Sequence, residues 1–409
     1  MHVRVRHHAL RDIKLTGWNE RFSGRGHYRD LVADETWRKG WISFDAVTWN
    51  PSDRKVYCGL NSIDGDLLYA FDPETVEFEC LNTQSWADEF DSKIHRALLR
   101  NPKDGCFYFG TSLLHDADQQ QDAKGGKLVK YDPRRRDYDV LGVPFPHLYI
   151  QSIAADFQRG ILYAFTYPAE FVLRFDLKTR QARALAYVGN AILFAQPHNA
   201  IVDKQGNLWG TYAETRAWDE VPSQQPVRLF RYNPDTDKFT WFDYGLSRKA
   251  DKKQLLPDPP KPAGASSALA ETRHKEDYGF CDSMAYDGDR TIYAGTVAGV
   301  LCRIDTETAT VEKIAHVTAT GRFPALAIDA KGVIFGGGGM KGHTQVIRWD
   351  PKTDRIEDYG RLADERTGEV PARIHELAVD DQERLYLGEN DNHTRSSYLW
   401  MVERGQSNA

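Results

Sequence analysis

The chain has 409 residues, of which 53 are Lys or Arg and 59 are Asp or Glu, so its formal charge is -6. Apolar residues make up 41% of the chain and aromatic residues 12%, which supports a packed core and excludes global disorder. At about 150 residues per domain, the length alone would fit two or three domains. The balanced charge gives no basis for a nucleic-acid partner, because phosphate binding needs a basic surface.

The sequence also bears on membrane, compartment and redox state. No apolar run reaches the roughly 18 residues of a membrane-spanning helix, so we expect no membrane partner. Met1–Thr16 lacks the apolar core of a secretory signal, which favours a cytoplasmic protein; a periplasmic or secreted location stays open if a leader has been removed. The five cysteines form no CxxC motif, so we expect free, mostly buried thiols: Cys58, Cys80, Cys106, Cys281 and Cys302.

One short pattern recurs along the chain. An apolar residue is followed by an aromatic residue, usually with Gly close behind, and a short apolar run with turn residues precedes it. In six copies an Asp or Asn, often followed by Pro, comes later and indicates a turn that closes a strand. The seven copies are Val56-Tyr57, Phe107-Tyr108, Leu162-Tyr163, Leu208-Trp209, Ile292-Tyr293, Ile334-Phe335 and Leu385-Tyr386.

Each repeat therefore predicts four antiparallel strands, and seven repeats predict an all-β chain folded as a seven-bladed β-propeller. We expect one domain over residues 1–409, with a loop insertion at 249–276 and a last blade that lacks its fourth strand. The segment around Val3-Arg4-Val5 would supply that strand and close the ring, leaving no open sheet edge. The predicted blades cover about 42–82, 93–142, 149–188, 197–245, 279–317, 322–362 and 373–403.

A second repeated position lies 11 to 13 residues before each aromatic, where the first strand of a blade begins. The start of this strand and the end of the second strand meet at one rim of the propeller. Six of the seven residues at this position are polar or ionisable. We therefore expect any site to lie over the axis on this His-rich rim. The seven residues are Asp45, His95, Gln151, His198, Asp282, Pro324 and His375.

Several motifs on the same rim resemble a known family. They are Ile94-His95-Arg96, Leu114-His115-Asp116, Tyr149-Ile150-Gln151-Ser152, Thr166-Tyr167-Pro168, and Gly388-Glu389-Asn390-Asp391-Asn392 ahead of Arg395-Ser396-Ser397-Tyr398. With these motifs the chain resembles the seven-bladed propeller polysaccharide lyases, a group that includes ulvan lyases, rhamnose-glucuronate lyases and, more distantly, oligogalacturonate lyases. As architecture, the resemblance covers most of the chain.

The resemblance implies β-elimination at a 4-linked uronic acid of the glucuronate type. This chemistry needs a base for the C5 proton, an acid for the departing O4, and a cation or strong donors on the C6 carboxylate. The resemblance places His95 and His115 in the acid–base group, with Tyr167 or Tyr149 as the partner across the sugar.

The remaining substrate contacts follow from the same reading. Arg216 is the first choice for the carboxylate, because a guanidinium can bind it bidentately. Arg174 is the second choice, although cations at its place in other blades favour a structural role. The other expected substrate-binding residues are His198, Gln151, Tyr212 and His375.

No cofactor is required by this chemistry, and two metal sites stay open. Oligogalacturonate lyases have a closely spaced His cluster that holds a metal, but this chain has no His-x-His, so a local site of that kind is not expected. Glu389 and Asp391 offer oxygen ligands for Ca²⁺. A structural Zn²⁺ site built across blades from His198, Cys281 and His343 would leave no spacing to detect.

The sequence thus predicts a carbon–oxygen lyase of carbohydrate metabolism. Its expected partner is an anionic, uronate-containing glycan, and we expect a monomer. Two alternatives remain: a sugar lactonase-like metal hydrolase, and a non-catalytic propeller that serves as a binding platform.

Overall fold

The computed structural model describes residues 3–18, 27–190, 199–213, 226–247, 278–318, 321–339 and 343–405. Within these residues it confirms the predicted fold class, since seven four-stranded antiparallel sheets form the blades of a β-propeller fold. His198, Arg216 and the loop 249–276 lie outside the described residues. The organisation of residues 1–409 as one domain stays a prediction.

The strands follow the repeat in chain order. Sheet 1 holds β2 (Ile42–Asn50), β3 (Lys55–Ser62), β4 (Leu68–Asp72) and β5 (Glu77–Cys80); sheet 2 holds β6 (Leu98–Arg100), β7 (Phe107–Gly110), β8 (Leu128–Asp132) and β9 (Asp137–Gly142); sheet 3 holds β10 (Tyr149–Asp156), β11 (Ile161–Tyr167), β12 (Ala169–Asp176) and β13 (Ala182–Asn190). Sheet 4 holds β14 (Ile201–Val202), β15 (Leu208–Ala213), β16 (Val227–Asn233) and β17 (Lys238–Trp241), and β18 (Leu246–Ser247) pairs with β19 (Tyr278–Gly279) as a separate ribbon.

The later sheets have the same order. Sheet 5 holds β20 (Cys281–Tyr286), β21 (Thr291–Thr296), β22 (Val300–Asp305) and β23 (Val311–His316), and sheet 6 holds β24 (Ala325–Ile328), β25 (Ile334–Gly338), β26 (Gln345–Asp350) and β27 (Arg355–Arg361). Sheet 7 holds β28 (Ile374–Val379), β29 (Leu385–Glu389) and β30 (Leu399–Arg404), completed by β1 (Val3–His8).

Two helices that the sequence did not indicate precede sheet 1. They are α1 (Tyr28–Ala33) and α2 (Glu35–Gly40), each of six residues. The Asp34 carboxylate accepts hydrogen bonds from the backbone N–H groups of Thr36 and Trp37 and so caps α2. In the described part of the chain, neither these helices nor any other is long and apolar enough to cross a membrane.

The chain divides into two compact units. The first unit comprises His2–Ile153, Phe175–Arg183 and Ala363–Ala409, and holds sheets 1, 2 and 7 with part of sheet 3. The second unit comprises Ala154–Arg174 and Ala184–Leu362, and holds the rest of sheet 3 with sheets 4, 5 and 6.

The repeated aromatic residue lies on the second strand of every sheet and is buried there. The apolar residue before it is also fully buried, because both faces of such a strand are covered. The recurring Gly permits close approach of the next sheet: a Cβ at Gly110 would lie 2.3 Å from Ile150 Cγ2, and one at Gly388 would lie 2.3 Å from the Phe44 carbonyl oxygen. The seven aromatic residues are Tyr57, Tyr108, Tyr163, Trp209, Tyr293, Phe335 and Tyr386.

The predicted turn after the third strand is confirmed. The Asp72 carboxylate accepts hydrogen bonds from the N–H groups of the residues two and three positions later, which is the geometry of an Asx turn. Val76, which follows, has a positive φ of 61° and starts the return into β5. The same acceptor role belongs to Asp132, Asp176, Asn233, Asp305 and Asp350.

The predicted closure by the N-terminal strand is also confirmed. β1 pairs antiparallel with β30, in a register that runs from Val3 opposite Arg404 to His8 opposite Leu399. Asp364 holds the end of this strand: its Oδ2 accepts the His7 backbone N–H at 2.8 Å and lies 2.9 Å from His7 Nδ1. Burial alone would raise the pKa of Asp364, but the Arg366 guanidinium and the His7 N–H hold it well below its usual range.

His8 makes this closure sensitive to acid. It is buried against Phe71, and burial, assisted by Arg366 and His7, lowers the pKa of His8 from 6.5 to about 4. The unfolded chain binds this proton at higher pH than the folded chain does, so stability is lost as the pH falls from about 6.5 towards 4. Between pH 7 and about 4.5, we expect the free energy of unfolding to fall for both wild type and His8→Leu. The fall should be smaller for His8→Leu, and the difference between the two falls should be about 2 kcal/mol.

Urea denaturation at a series of pH values measures this difference. His27→Leu is the matched control, since it makes the same replacement at a side chain that is 61% exposed. Parallel pH profiles for wild type and His8→Leu would contradict the prediction.

Candidate functional site

The repeated polar position coincides with an interruption of strand pairing. In sheet 1 the register of β2 against β3 shifts around Asp45, which is the extra residue of a β-bulge. The same shift occurs around Asp282 in sheet 5 and around His375 in sheet 7. A bulge leaves one residue outside the regular ladder and re-aims its side chain. The repeat therefore places polar side chains where the backbone departs from regular pairing.

Sheet 2 has a comparable irregularity before β6. Lys93 pairs with Ser112, and regular pairing resumes where Leu98 pairs with Phe109. The chain therefore advances five residues from Lys93 to Leu98, while the opposing strand advances only three between their partners. His95 and Arg96 lie in this interval, and Arg96 has a positive φ of 43°. A residue other than Gly in this conformation costs energy and is typical of sites that the surrounding structure holds in place.

The first unit brings two of the predicted residues, His95 and His375, into direct contact. Their Nε2 atoms lie 3.1 Å apart, and their ring centroids lie 4.6 Å apart at an interplanar angle of 59°. Both side chains are buried, with exposed fractions of 5% and 2%. Two imidazoles 280 residues apart in the chain thus meet inside one compact unit.

The other ring nitrogen of each histidine is bound to the backbone. His95 Nδ1 lies 3.0 Å from the carbonyl oxygen of Gln151, and His375 Nδ1 lies 2.9 Å from the carbonyl oxygen of Asp45. A carbonyl oxygen only accepts, so each Nδ1 carries a hydrogen and donates it. Each acceptor belongs to the repeated position of the next sheet, so the same repeat that places the histidines also orients them.

Cationic side chains surround this pair. Arg96 donates from its guanidinium to the His375 carbonyl oxygen at 3.2 Å, and Lys93 Nζ lies 3.1 Å from Asp45 Oδ2. Burial raises the pKa of the Asp45 carboxyl above its usual range, and the Lys93 ammonium offsets only part of that effect. Lys93 and Asp45 thus form a buried ion pair beside the two histidines.

Asp391, one of the two predicted calcium ligands, lies at the same end of sheets 1 and 7. Its carboxylate accepts from Arg373 at 2.8 Å, and its backbone N–H donates to Ser43 Oγ at 3.0 Å. Its charge raises the pKa of Asp45 further. Asp391 is therefore part of the charge arrangement beside the histidine pair, and its role as a metal ligand stays a prediction.

Glu389, the other predicted calcium ligand, is fully buried and bound by protein donors. Its Oε2 accepts from Arg395 at 2.9 Å, from the Tyr398 backbone N–H at 2.9 Å and from Trp400 Nε1 at 3.1 Å. Its Oε1 accepts from the Ala372 N–H and from the Asn392 amide. These bonds tie the end of β29 to the chain that leads into β30.

His115, predicted as a catalytic residue, is held by neighbours of its own. Its Nε2 contacts the Glu89 carbonyl oxygen at 2.9 Å and its Nδ1 contacts Gln119 Oε1 at 3.2 Å. Its ring packs between Tyr28 of α1 and Phe90. These contacts define a structural setting for His115, and its catalytic role stays a prediction.

Tyr149 and Gln151 both lie on β10 in the first unit. Residues two apart on a strand point to the same face, so the Tyr149 and Gln151 side chains share a face of β10. The Gln151 carbonyl is the acceptor for His95. Of the two tyrosines predicted as catalytic, Tyr149 is therefore the one on the same strand as Gln151, which binds His95.

The other predicted residues belong to the second unit. Tyr167 ends β11 and is half-buried. Arg174 lies beside Tyr232, where burial raises the pKa of the phenol and Arg174 offsets part of the rise. The Tyr212 hydroxyl donates to the Phe242 carbonyl oxygen at 2.9 Å. The substrate and catalytic roles of these three residues stay predictions.

The second unit also contains charged residues that the sequence did not single out. Arg322 binds the Asp282 carboxylate bidentately, at 3.0 and 2.7 Å, from the next sheet along the chain. Glu170, at the start of β12, is fully buried, and burial raises its pKa well above the usual range. The bulge position could have indicated a partner for Asp282, whereas no local signal distinguishes Glu170.

Among the residues that it describes, the structure does not group enough ligand side chains to support either of the metal sites that the sequence left open. Within the described ranges, no group of three or more His, Cys, Asp or Glu side chains is placed to hold a metal ion. Of the residues considered for a zinc site, Cys281 is buried with its Sγ 3.3 Å from the Ser283 carbonyl oxygen, and His343 is exposed. Because His198 lies outside the described residues, that site stays a prediction.

No protein-family model and no curated protein matches the sequence. Solved structures do resemble it. A streptogramin B lyase has a TM-score of 0.56 at 13% identity, over 90% of this chain and 99% of that one. The virginiamycin B lyase from Staphylococcus aureus has a TM-score of 0.56 at 11% identity, over 99% of this chain and 100% of that one. At these identities the likeness shows the β-propeller fold alone.

A third solved structure is longer than this chain. The extracellular domain of a hybrid two-component system from B. thetaiotaomicron has a TM-score of 0.56 at 14% identity and is matched by 90% of this chain. This chain spans 39% of the length of that domain. Here too the shared feature is the β-propeller fold.

The buried hydrogen bonds of Glu389 indicate that it contributes to the stability of the fold. Glu389→Gln removes the charge that faces the buried Arg395 and should lower the free energy of unfolding by about 3 kcal/mol. Glu369 is the matched control, because it lies 3.5 Å from the same guanidinium but is half exposed. Glu369→Gln should cost at most about 1 kcal/mol.

Urea denaturation in EDTA and in CaCl₂ separates the structural role of Glu389 from the calcium role. We expect the same loss for Glu389→Gln in both buffers. A loss that appears only with Ca²⁺ present would contradict the structural role and favour the calcium site.

Proposed function

We propose that this protein is a carbon–oxygen lyase that cleaves a glucuronate-type, 4-linked uronic acid in an oligo- or polysaccharide by β-elimination. The observation that carries the proposal is the His95–His375 pair, with its two Nε2 atoms 3.1 Å apart and Lys93 and Arg96 beside it. A buried centre with cationic side chains beside it suits a carboxylate that must accept negative charge during the reaction.

The reaction sets the requirements on the site. A base takes the C5 proton, the C5–H electron pair forms the C4=C5 double bond, and the C4–O4 bond breaks with its electrons on O4, which then takes a proton. Negative charge develops on the C6 carboxylate as C5 is deprotonated, so cations there stabilise the transition state. The products are an unsaturated uronate and a free O4 hydroxyl.

The described residues of the first unit can be assigned to these roles. The centre formed by His95 and His375, with Arg96 as a further donor, faces the C6 carboxylate. Tyr149 is assigned to exchange the proton between C5 and O4, because it lies two residues before Gln151, whose backbone carbonyl oxygen accepts from His95. This assignment moves His95 from proton transfer to charge stabilisation.

Solved propellers of similar fold support the reaction class. Two of them are lyases by title, and the virginiamycin B lyase matches nearly the full length of both chains. This reciprocal coverage favours one second candidate, a lyase acting on streptogramin B antibiotics. That candidate shares the class of reaction and differs in substrate.

A substrate panel tests the proposal. The purified protein is incubated with ulvan, glucuronan, gum arabic and pectic oligomers, and unsaturated uronate is followed by ultraviolet absorbance; a parallel incubation with virginiamycin B is followed by chromatography of the remaining substrate. We expect absorbance to rise with at least one uronate glycan. His95→Ala and His375→Ala should each lower kcat/KM by about 100-fold, because each removes one half of the charge centre.

The exposed His27→Ala protein is the control and should keep wild-type activity. Cleavage of virginiamycin B alone would favour the second candidate. Binding of a glycan without any cleavage would refute the lyase and favour a binding platform.

A further inference from the structure

An ion pair connects the interior of the first unit with its rim. The Asp45 carboxylate has no exposed surface, and the Lys93 Nζ atom lies 3.1 Å from its Oδ2. The Lys93 side chain keeps 18% of its surface exposed. Lys93 therefore reaches from the rim to a carboxylate that solvent does not contact.

The Asp45 carboxylate depends on this contact more than a comparable buried carboxylate of the same unit does. Glu389 accepts hydrogen bonds from five protein donors. At Asp45 Oδ1, in contrast, the described residues supply no hydrogen-bond donor. If the Lys93 ammonium moves away, the buried charge of Asp45 loses its ion-pair partner. A carboxyl in that position becomes neutral by taking up a proton.

The charged groups around Asp45 have opposing effects on its protonation. Burial raises the pKa of Asp45, and Lys93 lowers it. Asp391 raises this pKa further, whereas Arg96 lowers it. His375 contacts the backbone of Asp45, since its Nδ1 donates to the carbonyl oxygen at 2.9 Å. Lys93 is therefore the main group that keeps the Asp45 carboxyl ionised.

The backbone of Lys93 is held in place, so its side chain is the part that can change partner. Lys93 pairs with Asn61 of β3 and with Ser112, whose backbone N–H donates to the Lys93 carbonyl oxygen at 2.7 Å. These contacts hold Lys93 between sheets 1 and 2. A lysine ammonium is a compact charge on a flexible four-carbon stem, so it can turn from one carboxylate to another.

We propose that Lys93 binds the C6 carboxylate of a uronate by exchange: its ammonium leaves Asp45 for the substrate, and Asp45 takes up one proton from solvent. The choice of a uronate as ligand rests on the proposed lyase function. Charge stays balanced, because the negative charge that the substrate brings replaces the one that Asp45 loses. The substrate carboxylate stays ionised, and no covalent bond of the sugar forms or breaks in this step.

The other cations near the histidine pair are less suited to this role. Arg96 is 7% exposed, and its guanidinium donates to the His375 carbonyl oxygen. Arg373 is more exposed, but it binds Asp391, whose side chain is 32% exposed beside it. A substrate carboxylate at Arg373 would meet the negative charge of Asp391. At Lys93 the competing carboxylate is buried and becomes neutral.

The exchange makes uronate binding dependent on pH. Where Asp45 is ionised in the unbound protein and protonated in the complex, binding takes up one proton, so affinity rises as the pH falls. The rise is at most about tenfold per pH unit, and it ends below the pKa of Asp45 in the unbound protein. Asp45→Asn cannot take up this proton and should lack this part of the pH dependence.

Calorimetry with D-glucuronate tests the exchange without cleavage, since this monosaccharide has no glycosidic bond at O4. Full-length protein is titrated in phosphate and in Tris, whose different ionisation enthalpies give the number of protons taken up. We expect saturable binding with uptake of up to one proton in wild type and of none at this carboxyl in Asp45→Asn. Lys93→Gln should bind at least about 10-fold more weakly, and neutral D-glucose should not bind.

Two further variants separate binding from folding. Lys39→Gln is the matched control, because it removes a lysine that pairs with the exposed Glu35, and it should bind as wild type does. Lys93→Gln alone leaves Asp45 without its partner. The double variant Asp45→Asn/Lys93→Gln removes both charges, and circular dichroism checks its fold. It too should lose glucuronate binding.

Several outcomes overturn the inference. Absence of saturable glucuronate binding to folded wild type, or equal binding by wild type and the double variant, would refute the role of Lys93. Equal proton uptake by wild type and Asp45→Asn would refute the exchange with Asp45. Failure of the lyase gives a different result, since glucuronate binding with proton uptake but without cleavage of any glycan sustains the exchange and refutes the lyase. Glycan cleavage with an unchanged KM in Lys93→Gln does the reverse.

Discussion

The pairing of β1 with β30 is the contact on which the first unit depends. It completes sheet 7 with residues from opposite ends of the chain, and without it β30 would present an open edge. The same sheet contains β28, and β28 begins with the bulge that carries His375. His375 is held in place relative to His95 by its neighbours in sheets 1 and 2, since its Nδ1 donates to the Asp45 carbonyl oxygen and its own carbonyl oxygen accepts from Arg96. A polar group at the end of β1 supports the pairing of β1 with β30, because the Asp364 carboxylate accepts the His7 backbone N–H.

Much of the fold could be predicted because its determinants are local. Each repeat contains a buried aromatic residue, and six of the seven also contain an Asp or Asn that accepts from backbone N–H groups shortly after it in the chain. Both signals are contained in a few consecutive residues, so they survive without knowledge of the rest of the chain. The helices α1 and α2 were missed for the opposite reason. Each has only six residues, too few to show a helical period, and Trp37 of α2 is buried by packing against residues outside that helix, such as Leu15 and Leu31.

The candidate site could be predicted only in part. The repeat spacing located His95, Gln151 and His375, because equivalent positions in successive blades have equivalent places in the fold. It could not reveal that the two imidazoles touch, since that contact joins residues 280 apart and depends on backbone carbonyls, which every residue has. The acidic run at Glu389 shows the same limit. A carboxylate that binds Ca²⁺ and one that binds Arg395 look alike in sequence, and only the described contacts of Glu389 identify the buried donors around it.

The placement of these residues at bulges is itself an argument for function. Regular pairing would give each strand more backbone hydrogen bonds, and an apolar residue at the position of His375 would avoid the cost of burying an imidazole. The chain instead places two histidines and a carboxyl at interrupted positions in three sheets of one unit, with Arg96 held in a strained conformation beside them. Stability alone does not favour such an arrangement, because each buried polar group must be compensated by a specific partner. Here the partners are backbone carbonyls, which accept from both Nδ1 atoms and leave the two Nε2 atoms turned towards each other.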